Sequence, residues 1–251
     1  MRLAALRQGK RRILHDPDSV CDALGSDHVP PGLFDPAYWE AEGRVVGRAP
    51  GRGESLFVQA GACQWVIRPY RRGGLAARLS RERYLWTGIE ATRAFRELRL
   101  TATLFDQGLP VPRPVAACVT RQGLTYTATL ITERLPQAQP LAALLDQHSG
   151  QASGENPGQN SAPVALLEAV GAMIRRFHAA GLDHVDLNAR NILVTPDQTP
   201  WLIDFDRCRI RPQGKWQEAN LARLARSVAK FTAQPDVPIQ AIEQGYRQAR
   251  R

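Results

Sequence analysis

Short runs in which apolar and polar residues alternate predict β-strands through much of the first half of the chain. The predicted strands are residues 45–46, 55–59, 64–68, 115–119 and 125–132, and the last two form a hairpin. Residues 1–42 lack this pattern, and their prolines predict loops and a short helix.

Apolar residues spaced three and four positions apart predict the helices. This spacing occurs in residues 90–105, in a segment between Pro163 and Gly181, and in residues 221–231 and 239–249. An apolar face on each of these segments predicts that each helix packs against a core.

The order of these elements predicts an α+β protein with two lobes. Residues 1–42 are an N-terminal extension, residues 43–135 a small, mainly antiparallel β lobe, and residues 136–251 a larger helical lobe. The predicted hinge is residues 133–135. Residues 148–162 are rich in Gly, Ser, Asn and Gln, which predicts a mobile loop inside the second lobe.

Residues 182–206 contain the main group of candidate catalytic and metal-binding residues. Asp186 and Asn191 precede the apolar run 192–194, a turn follows at residues 195–199, and a returning strand delivers Asp204. Asp186, Asn191 and Asp204 are therefore expected at one end of a hairpin.

Two carboxylates and an amide at this spacing suit phosphoryl transfer. One carboxylate orients the acceptor hydroxyl, while the other and the amide hold Mg²⁺ against the nucleotide phosphates. The pattern H-x-D-L-x-x-x-N followed by D-F-x resembles the catalytic and metal loops of the protein-kinase superfamily. The alternative is a hairpin whose carboxylates are merely solvated. Three matching positions and two correctly placed strands favour the kinase interpretation, with Asp186 as the catalytic residue and Asn191 and Asp204 as metal ligands.

Weaker kinase-like features occur in the first lobe. Gly51 and Gly53 resemble the glycine-rich loop that covers nucleotide phosphates, although two glycines in a hairpin also suit a plain turn. Arg68 occupies the position of the phosphate-pairing lysine, and arginine can grip a phosphate through two hydrogen bonds. Glu97 on the helix at 90–105 is the candidate partner of Arg68, and the alternative is an exposed helix glutamate.

The net charge of +9 comes almost entirely from arginine, since the only lysines are Lys10, Lys215 and Lys230. Such a basic surface predicts a polyanionic partner: nucleic acid, an anionic membrane face or a phosphorylated ligand. The four cysteines form no C-x-x-C pair, which argues against a zinc site or a disulfide framework and indicates a reducing compartment. Charges run through the first residues, and no apolar run reaches the roughly 18 residues of a spanning helix, so any membrane attachment is expected to be peripheral.

Longer segments of the sequence show a resemblance to one family within this superfamily. The motifs R-R-G-G-L, D-L-N-A-x-N and L-I-D-F-D, within VIRPYRRGGLAARLSRERYLW, HVDLNARNILV and WLIDFDR, resemble the 3-deoxy-D-manno-octulosonic acid (Kdo) kinases, bacterial relatives of the lipopolysaccharide core heptose kinases. The resemblance covers about residues 40–231. It implies a protein-kinase-like fold, ATP and Mg²⁺ as cofactors, and phosphorylation of a Kdo hydroxyl, the 4-position in this family, on a lipid A precursor. The implied location is the cytoplasmic side of the inner membrane, with no nucleic acid and no obligate protein partner.

Three departures from protein kinases fit a sugar-lipid acceptor better than a protein. No arginine precedes Asp186, Asp206 replaces the glycine of D-F-G, and about ten residues separate Asp206 from the next predicted helix. A small-molecule kinase of the aminoglycoside type, a core-heptose kinase and an inactive nucleotide- or nucleic-acid-binding module remain alternatives.

A basic cluster lies between the predicted Arg68 strand and Glu97 helix. Its members are Arg71, Arg72, Arg78, Arg81 and Arg83, and they are interleaved with leucines and aromatic residues. Basic residues mixed with apolar ones are typical of segments at an anionic membrane interface. The cluster is therefore predicted to contact the lipid acceptor or the membrane, and a solvated amphipathic helix is the alternative.

Overall fold

The computed structural model describes residues 1–26, 28–49, 55–70, 83–150 and 162–249. The chain divides into two compact units. One consists of Met1–Gln107 with Pro112–Leu135, and the other of Gly108–Val111 with Pro136–Arg251. The first contains a mainly antiparallel sheet and the second most of the longer helices, so the chain has the α+β organisation of a two-lobed kinase-like fold.

The elements of the first unit are β1 Ala4–Gln8, β2 Arg11–His15, α1 Pro17–Leu24, α2 Pro36–Ala41, β3 Val45–Ala49, β4 Ser55–Ala60, β5 Cys63–Pro69, β6 Tyr84–Leu85, α3 Arg93–Asp106, β7 Pro114–Gln122 and β8 Thr125–Glu133. Those of the second are β9 Gln139–Pro140, α4 Leu141–Gly150, α5 Val164–Ala179, β10 Leu182–Asp183, β11 Ile192–Val194, β12 Pro200–Leu202, β13 Arg209–Ile210, α6 Trp216–Val228 and α7 Asp236–Gln248.

One sheet organises the first unit, in the strand order β1-β2-β7-β8-β5-β4-β3 with β6 paired to β8. The α3 side carries a core that includes Leu14, Phe95 and Leu98. The opposite side carries a second core around Ile13 and Trp39. Burial of apolar surface on both faces stabilises the sheet far more than β-propensity alone.

The expectation of loops over residues 1–42 is wrong for residues 4–15. These form the β1–β2 hairpin, which extends the main sheet by pairing Arg11 with Thr120 and His15 with Ala116. Ile13 and Leu14 are both buried because the two faces of β2 contribute to different cores. A strand buried on both faces shows no apolar alternation, which explains the error.

The second unit is built around α5, which packs closely against α7. Both glycines at this crossing face backbone: a Cβ on Gly171 would lie 1.9 Å from the Ile242 carbonyl oxygen, and one on Gly245 would lie 2.0 Å from that of Glu168. Two small antiparallel sheets, β12-β11-β9 and β10-β13, complete the unit. None of the helices in the described ranges has the length and apolar character that crossing a bilayer requires.

Candidate active site

The β11–β12 hairpin brings the predicted catalytic residues together. Ile192 pairs with Leu202 in the hairpin register, and the backbone N–H of Ile203 donates to the Asn191 carbonyl at 3.0 Å. Asp204 follows directly after Ile203. The structure therefore places Asn191 and Asp204 side by side where the two strands meet the loop that carries Asp186.

Two asparagine side chains fix the backbone at Asp186. The Nδ2 atoms of Asn188 and Asn191 donate to the Asp186 carbonyl at 2.9 and 3.0 Å. Asn188 Oδ1 in turn accepts from the Arg190 N–H at 2.9 Å. Asn188 belongs to the D-L-N-A-x-N motif but was not predicted as a site residue. Its role as a loop clamp depends on side-chain to backbone bonds that the motif does not reveal.

The Asp186 carboxylate is exposed, and within the described part of the chain it accepts no hydrogen bond and forms no ion pair. Its backbone is held while its oxygens face solvent. A fixed main chain with an accessible carboxylate is the arrangement needed to meet an acceptor hydroxyl.

Asn191 and Asp204 supply oxygen atoms of the kind that Mg²⁺ prefers. Because Asn191 donates through Nδ2 to Asp186, its Oδ1 is directed away from that bond and can face a cation. Asp204 has a positive φ of 66°, a conformation that non-glycine residues rarely adopt and that concentrates at functional sites. No cluster of three His, Cys, Asp or Glu side chains suited to a metal occurs in the described ranges. An amide and one carboxylate nevertheless fit Mg²⁺, since this ion keeps several waters and substrate phosphates as ligands.

Buried ring side chains pack between the loop that carries Asp186 and the segment that carries Asp204. Phe205 is buried and stacks near Phe177 and His184, with ring centroids 6.3 and 5.6 Å away. His184 Nε2 is 3.1 Å from the Ile203 carbonyl. Burial lowers the pKa of His184, while the bond to Ile203 and the nearby aspartates oppose that shift. His184 is thus a buried, hydrogen-bonded residue that ties the catalytic loop to the segment leading to Asp204.

A second buried network holds the base of the catalytic loop. Asp183, only 6% exposed, accepts from Arg211 Nη1 at 2.9 Å and from Asn220 Nδ2 at 3.1 Å. Ser227 on α6 accepts from the Ala189 N–H at 3.1 Å. Sequence reasoning missed this network, because its members are distant in sequence and its side chains belong to no motif.

Arg68 and Glu97 are in contact in the first unit. Arg68 Nη2 forms an ion pair with Glu97 Oε1, and the Tyr70 hydroxyl donates to Glu97 Oε2. Glu97 is buried whereas Arg68 is 30% exposed, so the guanidinium lies at the edge of the unit. Tyr70 was not predicted, although it lies just after β5 and two positions beyond Arg68, a spacing that places side chains on the same side of an extended chain.

Several other predicted residues cannot be placed. Gly51, Gly53, Arg71, Arg72, Arg78 and Arg81 lie outside the described residues, so the glycine-loop and most of the basic-cluster predictions stay predictions. Arg83 is described and exposed. Arg68 and Glu97 belong to one compact unit, and Asp186, Asn191 and Asp204 to the other.

Comparison with known proteins agrees with these observations. A relative from Xanthomonas campestris pv. campestris (strain B100), named 3-deoxy-D-manno-octulosonic acid kinase, is 48% identical over 201 residues, covering 80% of this chain and 75% of the relative. Proteins of the same name from Xanthomonas axonopodis pv. citri (strain 306) and Xylella fastidiosa (strain M12) are 46% and 43% identical, over 91% and 88% of this chain and 85% and 82% of those relatives. The family model described as "Lipopolysaccharide kinase (Kdo/WaaP) family" matches residues 36–246. The chain therefore belongs to the lipopolysaccharide kinase (Kdo/WaaP) family.

Proposed function

We propose that this kinase transfers the γ-phosphoryl group of ATP to a hydroxyl of Kdo. The observation that carries the proposal is a pair of hydrogen bonds at one end of the β11–β12 hairpin. Asn191 Nδ2 donates to the Asp186 carbonyl, and the N–H of Ile203, the residue before Asp204, donates to the Asn191 carbonyl. The name shared by the three relatives supports Kdo as the acceptor. The finer proposal is the 4-hydroxyl of Kdo attached to a lipid A precursor, lipid IVA.

Asp186 is assigned to the acceptor hydroxyl. Its exposed carboxylate would accept the hydroxyl proton and align the oxygen for attack on the γ-phosphorus. The clamps from Asn188 and Asn191 keep the loop backbone fixed during this step. Such positioning is the main contribution that a protein makes to phosphoryl transfer.

Asn191 Oδ1 and the Asp204 carboxylate are the residues that would hold Mg²⁺, which when bound neutralises charge on the nucleotide phosphates. Arg68 is assigned to those phosphates, since its guanidinium can form two hydrogen bonds to phosphate oxygens. Glu97 and Tyr70 restrict the Arg68 side chain, which lowers the conformational entropy lost on binding. Gly51 and Gly53 complete the proposed nucleotide contacts.

The proposed location is the cytoplasmic side of the inner membrane, with the protein bound peripherally. A lipid-linked acceptor would lie in that membrane, and the basic cluster from Arg71 to Arg83 would contact its phosphates or the surrounding anionic surface.

The test is phosphorylation of Kdo-lipid IVA by wild type, Asp186→Asn and the control Asp197→Asn. Asp197 is an exposed carboxylate in the turn that follows β11, on the same hairpin. Asp186→Asn should lose on the order of 10²–10⁴ in turnover with ATP affinity nearly intact, whereas Asp197→Asn should match wild type. Mass spectrometry of the product identifies the phosphorylated hydroxyl. Wild-type turnover by Asp186→Asn, or transfer only to acceptors lacking Kdo, would contradict the proposal.

A further inference from the structure

Two hairpin tips lie at the same end of the sheet in the first unit. The β1–β2 loop is Gly9-Lys10, flanked by the Gln8 and Arg11 pair. The β7–β8 loop is Gly123-Leu124, flanked by the Gln122 and Thr125 pair. Pairing of Arg11 with Thr120 aligns the two hairpins, so their tips are neighbours.

A groove of about 780 Å³ opens on the sheet face beside these tips. Its charged lining residues are Arg7, Lys10, Arg12 and Arg121, and no acidic side chain lines it within the described residues. None of these four forms an ion pair with a carboxylate in the part of the chain that the structure describes. The groove therefore concentrates uncompensated positive charge.

Arg7 and Arg12 are directly opposite each other in the β1–β2 register. Like charges at directly opposed positions destabilise a strand pair. Arg7 Nε and Arg121 Nε each donate to the carbonyl of the neighbouring tip glycine, at 3.1 and 2.9 Å. The guanidinium groups of Arg7 and Arg121 are thus held at the tips, and the opposed Arg7 and Arg12 lower folding stability. This arrangement suits an anionic ligand.

The rim of the groove is apolar and exposed. Leu124 at the β7–β8 tip, next to the lining residue Gly123, is 80% exposed. The backbone N–H of Trp86 donates to the Leu124 carbonyl at 2.9 Å, and Arg121 lies 5.0 Å from the centre of the Trp86 ring. An exposed leucine beside a half-buried tryptophan and arginines is typical of a membrane-interface segment, where aromatic rings lie at headgroup level.

We propose that this hairpin-tip surface, Arg7, Lys10, Arg12, Trp86, Arg121 and Leu124, binds the anionic phospholipid surface of a bilayer. The basic side chains would contact headgroup phosphates, and Leu124 with Trp86 would enter the interfacial layer. A nucleic-acid ligand would use the same charges, but it would leave the exposed Leu124 in water. The surface deepens the peripheral location given under the proposed function, and it differs from the cluster Arg71 to Arg83 assigned there.

The test is binding of the full chain to vesicles of phosphatidylglycerol with phosphatidylethanolamine, and to phosphatidylcholine vesicles, at low and high salt. The test variant is Arg7→Gln/Arg12→Gln/Arg121→Gln. The control, Arg44→Gln/Arg226→Gln/Lys230→Gln, removes the same charge from three exposed positions elsewhere. The test variant should bind anionic vesicles roughly 100-fold more weakly at low salt, about fivefold for each arginine. Leu124→Ser should weaken binding about tenfold at both salt concentrations.

Wild type should prefer anionic vesicles, and the control should bind them at close to wild-type strength. Equal losses in the test and control variants would show a net-charge effect and overturn the proposal, as would full binding by the test variant. If the test variant loses binding to a single-stranded oligonucleotide but keeps its binding to vesicles, the surface binds nucleic acid, and the proposal is overturned too. Turnover on detergent-dispersed Kdo-lipid acceptor is measured in parallel, so failure of the proposed activity is seen independently of vesicle binding.

Discussion

Replacing Asp183 with Asn should slow turnover through the catalytic loop, although Asp183 contacts no proposed substrate group. Asp183 lies three positions before Asp186, and its carboxylate accepts hydrogen bonds from Arg211 and Asn220. In the variant, the new amide N–H₂ must face one of these two donors. The Arg211 bond also becomes a bond to a neutral group, which is about half as strong. The start of the loop, at Asp183, is therefore expected to shift, while the hydrogen bonds from Asn188 and Asn191 to the Asp186 carbonyl stay intact.

The structure sets the magnitude and provides a control at a second buried carboxylate that pairs with an arginine. A hydrogen bond to a charged group contributes about 1.5–3 kcal/mol, and solvent screening of the half-exposed Arg211 favours the lower end. Asp16 in the first unit is 1% exposed and accepts from Arg113 at 2.8 Å and from Ser19 at 2.5 Å. Both Asp→Asn variants should therefore lose about 1–3 kcal/mol of unfolding free energy. A shift of about 1 Å in a positioned group can cost about 10²-fold in rate, so Asp183→Asn alone should lose at least about tenfold in kcat.

Urea unfolding and steady-state kinetics at saturating ATP separate the two effects. The expected pattern is similar destabilisation in both variants, a lower kcat only in Asp183→Asn, and an ATP KM close to wild type in both. Equal kcat losses would mean that general destabilisation is the cause. Wild-type kcat in a folded Asp183→Asn protein would refute the positioning argument.

Three further predictions test other parts of the structure. A double-mutant cycle with Arg68→Ala and Glu97→Ala should give non-additive losses in ATP affinity, and coupling near zero would remove the pair from the nucleotide site. Gly245→Ala should destabilise the protein by about 2 kcal/mol or more, because its Cβ would meet the backbone of the facing helix, whereas Gly214→Ala, with 3.5 Å to its nearest neighbour, should have little effect in urea unfolding. Burial lowers the pKa of His178 to about 4, so the unfolded chain binds a proton first and stability falls as pH drops from about 6.5 to about 4. His178→Gln should reduce that fall in thermal-unfolding scans, and an unchanged pH profile would count against it.

The catalytic hairpin could be predicted from sequence because its determinants are local. Residues 192–194 and 200–202 are close in sequence, and the turn between them has its own composition signal. Asp186 and Asn191 are five residues apart, so a motif fixes their spacing. The Arg68 and Glu97 contact is longer in range, and it was predicted only because strand and helix occupy positions known from kinases.

Features that depend on distant contacts could not be predicted. Strand β2 pairs with β7 more than a hundred residues later, and no local pattern indicates that pairing. Asp183 meets Arg211 and Asn220 at separations of 28 and 37 residues. In both cases burial is decided by packing among elements, which local propensity does not encode.

The segment after Asp204 connects the base of the catalytic loop to the rest of the second unit. Strand β13 pairs Leu182 with Ile210 and Asp183 with Arg209, so the chain returns to the base of the loop within a few residues of Phe205. The next residue, Arg211, then bonds Asp183, and α6 begins at Trp216. In switchable kinases a phosphorylated segment supplies new arginine contacts that order the site. Here Arg211 bonds the carboxylate of Asp183, so the arginine contact requires no phosphate group. The ordered loop is therefore coupled to folding of the second unit, and perturbing Asp183 should change stability and turnover together.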